Sequence, residues 1–332
     1  MKLPRPTLRM PDLIVASLAI AAAVELAPGF ATPAYPSRPI TIIIPFAAGG
    51  QGDVLIRIVA ERMRTLLGQS VIIDNVGGAA GSIGTGRVAR AAPDGYTLGQ
   101  GSLGTHVVNG AVRTLNFDVV KDFEPIALIA NGPQLIVARK TMPANDLKEF
   151  IDWLKANPNK ATQGTTGIGG ISHLAGVSFQ RLTETRFGFV PYRGTAMQDL
   201  VAGNIDLMVD QAATVLPQLR AGSIKVYAVA ARARIAIAPD LPTVDESGLP
   251  GFHISNWHAL WAPKATPKTI IAKLNAAAMD ALTDPAVRAR FAELGQQIFP
   301  PDQQTPEALA VHQQAEIEKW WPIVRAAGIK SE

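Results

Sequence analysis

The chain has 332 residues, of which 48% are hydrophobic and 17% charged, so it can bury a core in two domains of ordinary size and is not disordered. Its formal charge of +4 is small, and Lys and Arg are not gathered into a patch, which argues against nucleic-acid binding. Cysteine is absent, which excludes disulfides, thiol nucleophiles, Cys-ligated metals and a lipoprotein anchor.

The N-terminal residues predict export from the cytoplasm. Positive residues precede an uncharged, mostly apolar run from Leu13 to Val24, and small residues then lead to cleavage points after Ala31 or Ala34. This is the pattern of a secretory signal peptide. The alternative is a membrane anchor, but the run is shorter than the ~20 apolar residues that span a bilayer. We therefore predict that residues 1–34 are a signal peptide and that the mature protein is periplasmic.

Beyond residue 34, short apolar runs alternate with amphipathic helical patterns, which indicates βα units around a largely parallel sheet. The first unit comprises a strand at 40–45, a glycine-rich turn and a helix at 53–67. The apolar stripe predicted for this helix comprises Val54, Leu55, Ile58, Val59, Met63 and Leu66. Further strands are predicted at 71–74, 96–99, 161–165, 187–191, 207–209 and 224–230, and further helices end at 91, span 147–156 and begin near 171.

Two apolar runs, at 125–130 and 134–138, are interpreted as one strand that leaves a first lobe and enters a second. A return strand is predicted at 260–262. The predicted division is residues 35–132 and 256–332 for lobe 1, and 133–255 for lobe 2.

Three helices are predicted after the return strand. Each begins with a capping residue followed by proline, and these capping residues are Thr266, Asp284 and Thr305. Pro322 is expected to kink or end the last helix, because proline lacks the N–H that a helix interior needs.

A strand, a glycine-rich turn and a helix start occur in both proposed lobes, with the turns at 47–52 and 167–170. In a parallel sheet such turns lie at the carboxyl ends of the strands, where ligands bind. Unpaired N–H donors and the partial positive charge of a helix N-terminus hold a carboxylate or a phosphate. The first turn matches neither nucleotide-binding glycine pattern. Each turn alone could be merely a tight turn, whereas one in each lobe favours an anion-binding cleft.

Three polar residues accompany these helix starts. Asp53 opens the first helix, as its N-cap or as a ligand contact. Ser172 and His173 lie in the first turn of the second helix. Ser172 is expected to donate a hydrogen bond to a carboxylate oxygen, and His173 either contacts the ligand or braces the loop.

Three more polar residues follow strand ends. His106 is expected at the mouth of the cleft. Arg193 is either a cation that screens an acidic ligand or a solvated surface residue. Asp210 is expected to orient a neighbour or to accept from a ligand amine or hydroxyl. Nucleophile-elbow, zinc-protease and EF-hand patterns are absent, so no catalytic residue, metal site or cofactor is predicted.

Short motifs along the chain together resemble those of one known family. They are Tyr35–Ile40, Pro45–Asp53, Ala92–Leu98, Asp122–Pro125, Ser172–Gly176, Val190–Gly194, Leu241–Val244 and Ala262-Pro263 with Thr266-Pro267. Over residues 35–330 the chain resembles the Bug-type extracytoplasmic receptors of tripartite tricarboxylate transporters.

This resemblance implies an α/β, type II periplasmic-binding-protein fold, in which two Rossmann-like lobes are joined by two hinge crossings. It implies a small carboxylate as ligand: a dicarboxylate, a tricarboxylate, an acidic amino acid, an aromatic acid or nicotinate. It also implies delivery to membrane permease subunits or, in some members, to a sensor. Family members bind the carboxylate largely through backbone groups and short polar side chains.

The resemblance and the local patterns together give one set of predicted ligand-binding residues. The set comprises Phe46, Ala47, Ala48, Gly49, Gly50, Gln51, Asp53, Thr105, His106, Gly169, Gly170, Ile171, Ser172, His173, Arg193 and Asp210. Gly-Thr-Asp is usual in the family after the paired glycines, whereas Gln51-Gly52-Asp53 stands here. A threonine hydroxyl contact is therefore lost at Gly52, and Gln51 is expected to supply another.

The leading hypothesis is a monomeric, hinged periplasmic receptor that captures a small carboxylate for a transporter and is not an enzyme. The first alternative is a ligand-sensing partner of a two-component sensor kinase. The second is a secreted hydrolase, which would need a Ser/His/Asp set assembled through space.

Overall fold

The computed structural model describes residue 1 and residues 34–167, 169–192 and 196–330. The predicted signal peptide therefore lies outside the described residues apart from its two ends. Within the described ranges, every helix is either too short or too polar to cross a membrane.

The chain alternates strands with helices, as the sequence pattern predicts. The strands are Ile40–Ile44 (β1), Val71–Asn75 (β2), Thr97–Ser102 (β3), Phe123–Arg139 (β4), Thr162–Thr165 (β5), Gly188–Pro191 (β6), Leu207–Gln211 (β7), Ile224–Val229 (β8), Ser255–Pro263 (β9) and Gln297–Ile298 (β10). The helices are Gln51–Leu67 (α1), Ser82–Ala89 (α2), Asn109–Val112 (α3), Leu147–Ala156 (α4), Ile171–Thr183 (α5), Met197–Ala202 (α6), Ala212–Arg220 (α7), Lys268–Thr283 (α8), Pro285–Glu293 (α9) and Pro306–Ala326 (α10). The α/β class is confirmed.

The strand order repeats a single scheme. One part of the sheet runs β2-β1-β3-β9-β4, and the other runs β6-β5-β7-β4-β8. In each part, three mutually parallel strands are followed by an antiparallel strand, namely β9 in the first part and β4 in the second. Parallel neighbours need crossover connections, and helices such as α1 and α5 supply them.

Strand β4 belongs to both parts of the sheet. Its residues 123–133 pair with β9, and its residues 134–139 pair with β7 and β8. The runs at 125–130 and 134–138 are thus one continuous strand, as predicted. From Arg38 onward the contacts join the chain into one unit. The lobe boundaries at 132/133 and 255/256 stay a prediction.

The two faces of β4 bury different sets of side chains. Ile136 and Ala138 belong to a large apolar cluster, whereas Leu135 and Val137 belong to a second cluster on the opposite face. This alternation follows from the period of two along a strand. Both faces are therefore covered, which fits a strand at the centre of a layered α/β fold.

Several predicted helix ends differ from those in the structure. Asp284 and Thr305 cap α9 and α10 with side-chain hydrogen bonds, as predicted. The cap of α8 is Pro267, because the Thr266 hydroxyl donates to the carbonyl of Pro263 and does not cap the helix. Pro322 does not end α10, which runs on to Ala326.

The buried face of α1 is rotated from the predicted stripe. Leu55, Val59 and Met63 are buried as predicted, but Leu66 is 40% exposed. The buried face also includes Ile56, Ala60 and Leu67. The apolar residues of this helix extend around more than one face, so periodicity alone did not fix the side that packs.

Gly84 marks a close approach of α2 to the backbone that leads to the first glycine-rich loop. A Cβ at this position would lie 2.5 Å from the carbonyl oxygen of Val76 and 2.9 Å from Cα of Pro45. We expect Gly84→Ala to destabilise the protein by about 2 kcal/mol, because overpacking outweighs alanine's helix propensity. Urea unfolding measures this.

Gly188→Ala is the control, since its Cβ would meet nothing closer than 3.9 Å. Equal stability of the two variants would contradict the close approach.

Candidate functional site

Two glycine-rich loops, one after β1 and one after β5, each end in a pair of glycines with the same backbone conformation. Gly49 and Gly169 have φ angles of 80° and 78°, in the left-handed region. Gly50 and Gly170, the N-caps of α1 and α5, have φ/ψ angles of −68°/161° and −69°/162°. A residue with a Cβ rarely adopts a left-handed φ, so Gly49 and Gly169 are required as glycines.

Each loop ends in a helix start that presents unpaired amide groups. The hydrogen bonds of α1 begin with Val54 N–H to the Gly50 carbonyl, and those of α5 begin with Leu174 N–H to the Gly170 carbonyl. The N–H groups of residues 51–53 and 171–173 precede these bonds. Together with the helix dipole, such groups favour an anion.

The third residue of each helix braces its loop. The N–H of Gly49 donates to Oδ2 of Asp53 over 2.9 Å, and the N–H of Gly169 donates to Nδ1 of His173 over 3.1 Å. An accepting Nδ1 places the proton of neutral His173 on Nε2, and burial lowers its pKa. Asp53 is therefore not the N-cap, a role that Gly50 fills. Of the two alternatives for His173, the structure shows the bracing contact.

The carboxylate of Asp53 accepts four hydrogen bonds from three neighbouring residues. Its carboxylate accepts from Nε of Arg57 over 2.9 and 3.0 Å, and from Nδ2 of Asn75 over 3.0 Å, besides Gly49. Asn75 Nδ2 also lies 3.1 Å from the carbonyl oxygen of Phe46, which it bonds. Burial alone would raise the pKa of Asp53, but these bonds outweigh burial and lower it. The carboxylate shapes the first loop.

Ser172 ties the second loop to α5. Its Oγ accepts from the N–H of Thr166 over 2.9 Å and lies 3.1 Å from Oγ1 of Thr166. The hydroxyl thus has partners within the loop. The neighbouring Thr165 hydroxyl is buried and has no hydrogen-bond partner in the described part of the chain.

Thr105 and His106 lie in the core and not at the mouth of the cleft. His106 stacks on Trp261 at 4.7 Å between ring centroids and meets Phe123 edge-on at 4.9 Å. Burial lowers its pKa to about 3. Thr105 accepts from the N–H of Ser102 and bonds His106 Nδ1. Residues 104–108 form a π-helical turn, which directs His106 into the core and away from its predicted place at the mouth of the cleft.

Asp210 lies at the end of β7, opposite Leu135 of the crossing strand. Its Oδ1 accepts from the N–H of Gln211 over 2.7 Å. Burial raises the pKa of Asp210 to about 6, against this hydrogen bond. Arg193 lies outside the described residues.

Two polar residues near the first loop carry no sequence signal that indicates a site. Gln100 and His258 are 2% and 3% exposed, and they form a hydrogen-bonded chain that ends at Gln51. Gln100 comes directly after the strand predicted at 96–99, and no motif marks either residue.

A cavity of about 360 Å³ lies beside the second loop. Its lining includes Thr165, His173 and Phe189, together with residues 327–330 after α10. The loop itself approaches α3 and the residues after α10, because a Cβ on Gly169 would lie within 4 Å of both Val112 and Ile329. None of the first-loop residues lines this cavity. Nor do three potential metal-ligating side chains cluster anywhere in the described ranges.

Comparison with known families identifies the chain. Residues 55–329 match the family described as "Tripartite tricarboxylate transporter family receptor". The chain belongs to this receptor family.

Curated relatives of the receptor agree with this assignment. It is 42% identical over 296 residues to the "UPF0065 protein in the TAR-I ttuE-ttuC' intergenic region" of Agrobacterium vitis, with 89% of this chain and 86% of that protein covered. It is 33% identical over 300 residues to Protein BugT of Bordetella pertussis, with 89% and 91% covered. The Bug-type resemblance is confirmed.

Solved structures share the receptor's fold. MatC (Rpa3494) from Rhodopseudomonas palustris with bound malate is 41% identical, with a TM-score of 0.75 and 87% and 100% of the two chains covered. Rpa4515 of R. palustris with adipate is 32% identical, with a TM-score of 0.77 and 89% and 99% covered. The periplasmic-binding-protein fold is therefore confirmed.

The hydrogen bonds to the Asp53 carboxylate predict that the receptor loses stability as the pH falls and this group becomes protonated. We expect Asp53→Asn to cost about 2 kcal/mol at pH 7, because the amide cannot pair with the donors around a carboxylate that is 3% exposed. The pKa of Asp53 is lowered from 3.8, so its contribution is fully present above pH 3.8 and is lost as pH falls below that value. Urea unfolding at pH 7 and pH 3 measures this.

Asp152→Asn is the matched control, since Asp152 forms an exposed pair with Lys148 at the same i,i+4 spacing. An Asp53 variant as stable as this control at pH 7 would contradict the bracing role.

The raised pKa of Asp210 predicts that its contribution to stability depends on pH in the opposite direction to that of Asp53. A folded pKa of about 6 against the ordinary 3.8 means that stability falls as pH rises through that window. We expect Asp210→Asn to be more stable than the parent by about 3 kcal/mol at pH 8, with the difference vanishing below pH 4. Melting temperatures measured from pH 4 to pH 8 check this. A difference that does not vary with pH would show that Asp210 titrates normally.

Proposed function

We propose that this receptor captures a small carboxylate in the periplasm and delivers it to the permease subunits of a tripartite tricarboxylate transporter. The observation that carries the proposal is the pair of glycine loops with equal φ/ψ angles, each followed by a helix start with unpaired amides. MatC with malate and Rpa4515 with adipate support a carboxylate ligand.

Capture uses backbone donors more than charged side chains. A helix N-terminus binds a carboxylate without a lysine or arginine, because its free N–H groups and dipole already favour negative charge. The donors are the N–H groups of residues 51–53 and 171–173. In this proposal the side chains of Asp53, Ser172 and His173 hold the loops in shape, and the glycines let the ligand approach the backbone.

The ligand stabilises a closed form in which both loops contact it. The proposed lobes, 35–132 with 256–332 and 133–255, meet at the crossings of β4 and β9. A ligand shifts an open–closed equilibrium only through contacts that differ between the two forms. A ligand that contacts both loops only in the closed form meets that requirement.

Export and the absence of catalysis belong to the same proposal. Residues 1–34 act as the signal peptide, and the mature receptor works as a monomer. Receptor relatives favour binding without turnover over a hydrolase, and a transporter family favours delivery to a permease over signalling to a sensor kinase.

We expect a dicarboxylate to raise the melting temperature. At ~100 times its dissociation constant, a ligand stabilises the folded state by ~2.7 kcal/mol, which corresponds to a shift of roughly 4 °C. A thermal-shift screen of malate, succinate, adipate, aspartate, citrate and nicotinate measures this, with the diamide of malate as the uncharged control. If none of these acids raises the melting temperature, the proposal of carboxylate capture is wrong.

Ile171→Pro tests whether backbone amides bind the ligand. Proline suits the first helical position and removes only an N–H that precedes the helical bonds. We expect roughly tenfold weaker binding, the value of one hydrogen bond to a charged group. Lys268→Pro, at the first position of α8, is the matched control and should bind as the parent does.

A further inference from the structure

A chain of three hydrogen-bonded side chains leads from the sheet to the first loop. Gln100 Nε2 lies 2.7 Å from the carbonyl oxygen of Gly101 and 3.0 Å from Nδ1 of His258. Nε2 of His258 lies 3.2 Å from Oε1 of Gln51. Gln100 and His258 are buried, and Gln51 is the first residue of α1.

The donors and acceptors in this chain can be arranged in only one way. A backbone carbonyl only accepts, so the atom of Gln100 that faces Gly101 is the amide nitrogen, and it also donates to Nδ1 of His258. A neutral imidazole that accepts at Nδ1 carries its proton on Nε2. That proton is donated to Gln51, which must therefore present its oxygen to His258.

His258 stays neutral at ordinary pH. Burial lowers its pKa to about 4. Above that value the ring has a single proton, and the bond from Gln100 keeps that proton on Nε2. The orientation of the Gln51 amide is therefore fixed.

The consequence is an unused donor at Gln51. With Oε1 bonded to His258, the Nε2 amide group remains, and it is buried with no acceptor within hydrogen-bonding distance in the described part of the chain. A buried donor without a partner costs roughly 1–3 kcal/mol, so a ligand oxygen that pairs with it gains affinity. The backbone N–H of Gln51 precedes the helical bonds of α1 as well.

We propose that Gln100 and His258 are positioning residues that fix Gln51 as a hydrogen-bond donor to the ligand. The receptor then selects an oxygen acceptor at this point, a carboxylate or a hydroxyl, and rejects an ammonium group. This specificity rests on the proposed function, because it assigns a role to one residue of the same site.

Gly52 accommodates this arrangement. A Cβ at this position would lie 3.2 Å from Oε1 and 3.3 Å from Cδ of the Gln100 side chain. The threonine that the resemblance implies at position 52 would crowd Gln100. Glycine at position 52, where the family usually has threonine, therefore leaves room for Gln100, and Gln51 supplies the polar contact in place of the threonine hydroxyl.

The donor role is tested with Gln51→Glu, titrated with malate, succinate and adipate by calorimetry. A carboxylate keeps the shape of the side chain and still accepts from His258, but it has no donor for the ligand. We expect affinity to fall at least tenfold. Gln303→Glu, on an exposed residue, controls for the added charge and should bind as the parent does.

The positioning role is tested by a double-mutant cycle of Gln51→Ala and His258→Phe. We expect each single variant to weaken binding about tenfold, and the double variant to be no weaker than Gln51→Ala alone, because His258 acts only through Gln51. If His258→Phe does not fold, Gln100→Met replaces it, since it removes the donor to Nδ1 and keeps the volume. Losses that multiply to about a hundredfold would overturn the positioning role.

The two failures can be told apart. If the parent protein binds none of the three acids, carboxylate capture fails and takes this inference with it. If the parent binds at least one acid but Gln51→Glu binds it equally well, only the inference fails.

Discussion

The proposed binding site of this receptor depends on backbone amides at two helix starts, which have no hydrogen-bond partner within their helices. Each set exists because a glycine in the left-handed region turns the chain into a helix that begins at the carboxyl end of a strand. Amides cannot be charged or moved as side chains can, so their direction is set entirely by the loop backbone. This makes the bonds from Gly49 to Asp53 and from Gly169 to His173 as important as the amides.

The sheet explains why the loops occur twice. The order β2-β1-β3-β9-β4 matches β6-β5-β7-β4-β8, so β1 and β5 hold equivalent places and so do the turns that follow them. The two braces use different chemistry at equivalent positions, a carboxylate in one and a neutral imidazole in the other. The repeated geometry therefore does not require a repeated sequence, which is why the similarity is visible in the glycines and little else.

Periodicity and glycine placement were enough to predict the order of β1 to β9, the crossing strand and both loops, but not the helices α3, α6 and α7 or the short strand β10. The direction of individual side chains was not predictable in this way. His106 turns into the core because residues 104–108 form a π-helical turn, and Asp53 meets donors from Arg57 and Asn75 that only the folded sheet brings close. Gln100 and His258 are 158 positions apart and meet only because β3 pairs with β9. Contacts that depend on the register between distant strands produce no local pattern in the sequence.

The braces also separate the shape of each loop from its choice of ligand. Asp53 and His173 use their acceptor atoms on the loop, whereas the first residue of each helix, Gln51 or Ile171, accepts no hydrogen bond from its own loop. Under the proposed function, a substitution at either first position would leave the loop backbone unchanged and alter which ligand binds. Ligand preference could then evolve at these two positions without any cost to the stability of the scaffold.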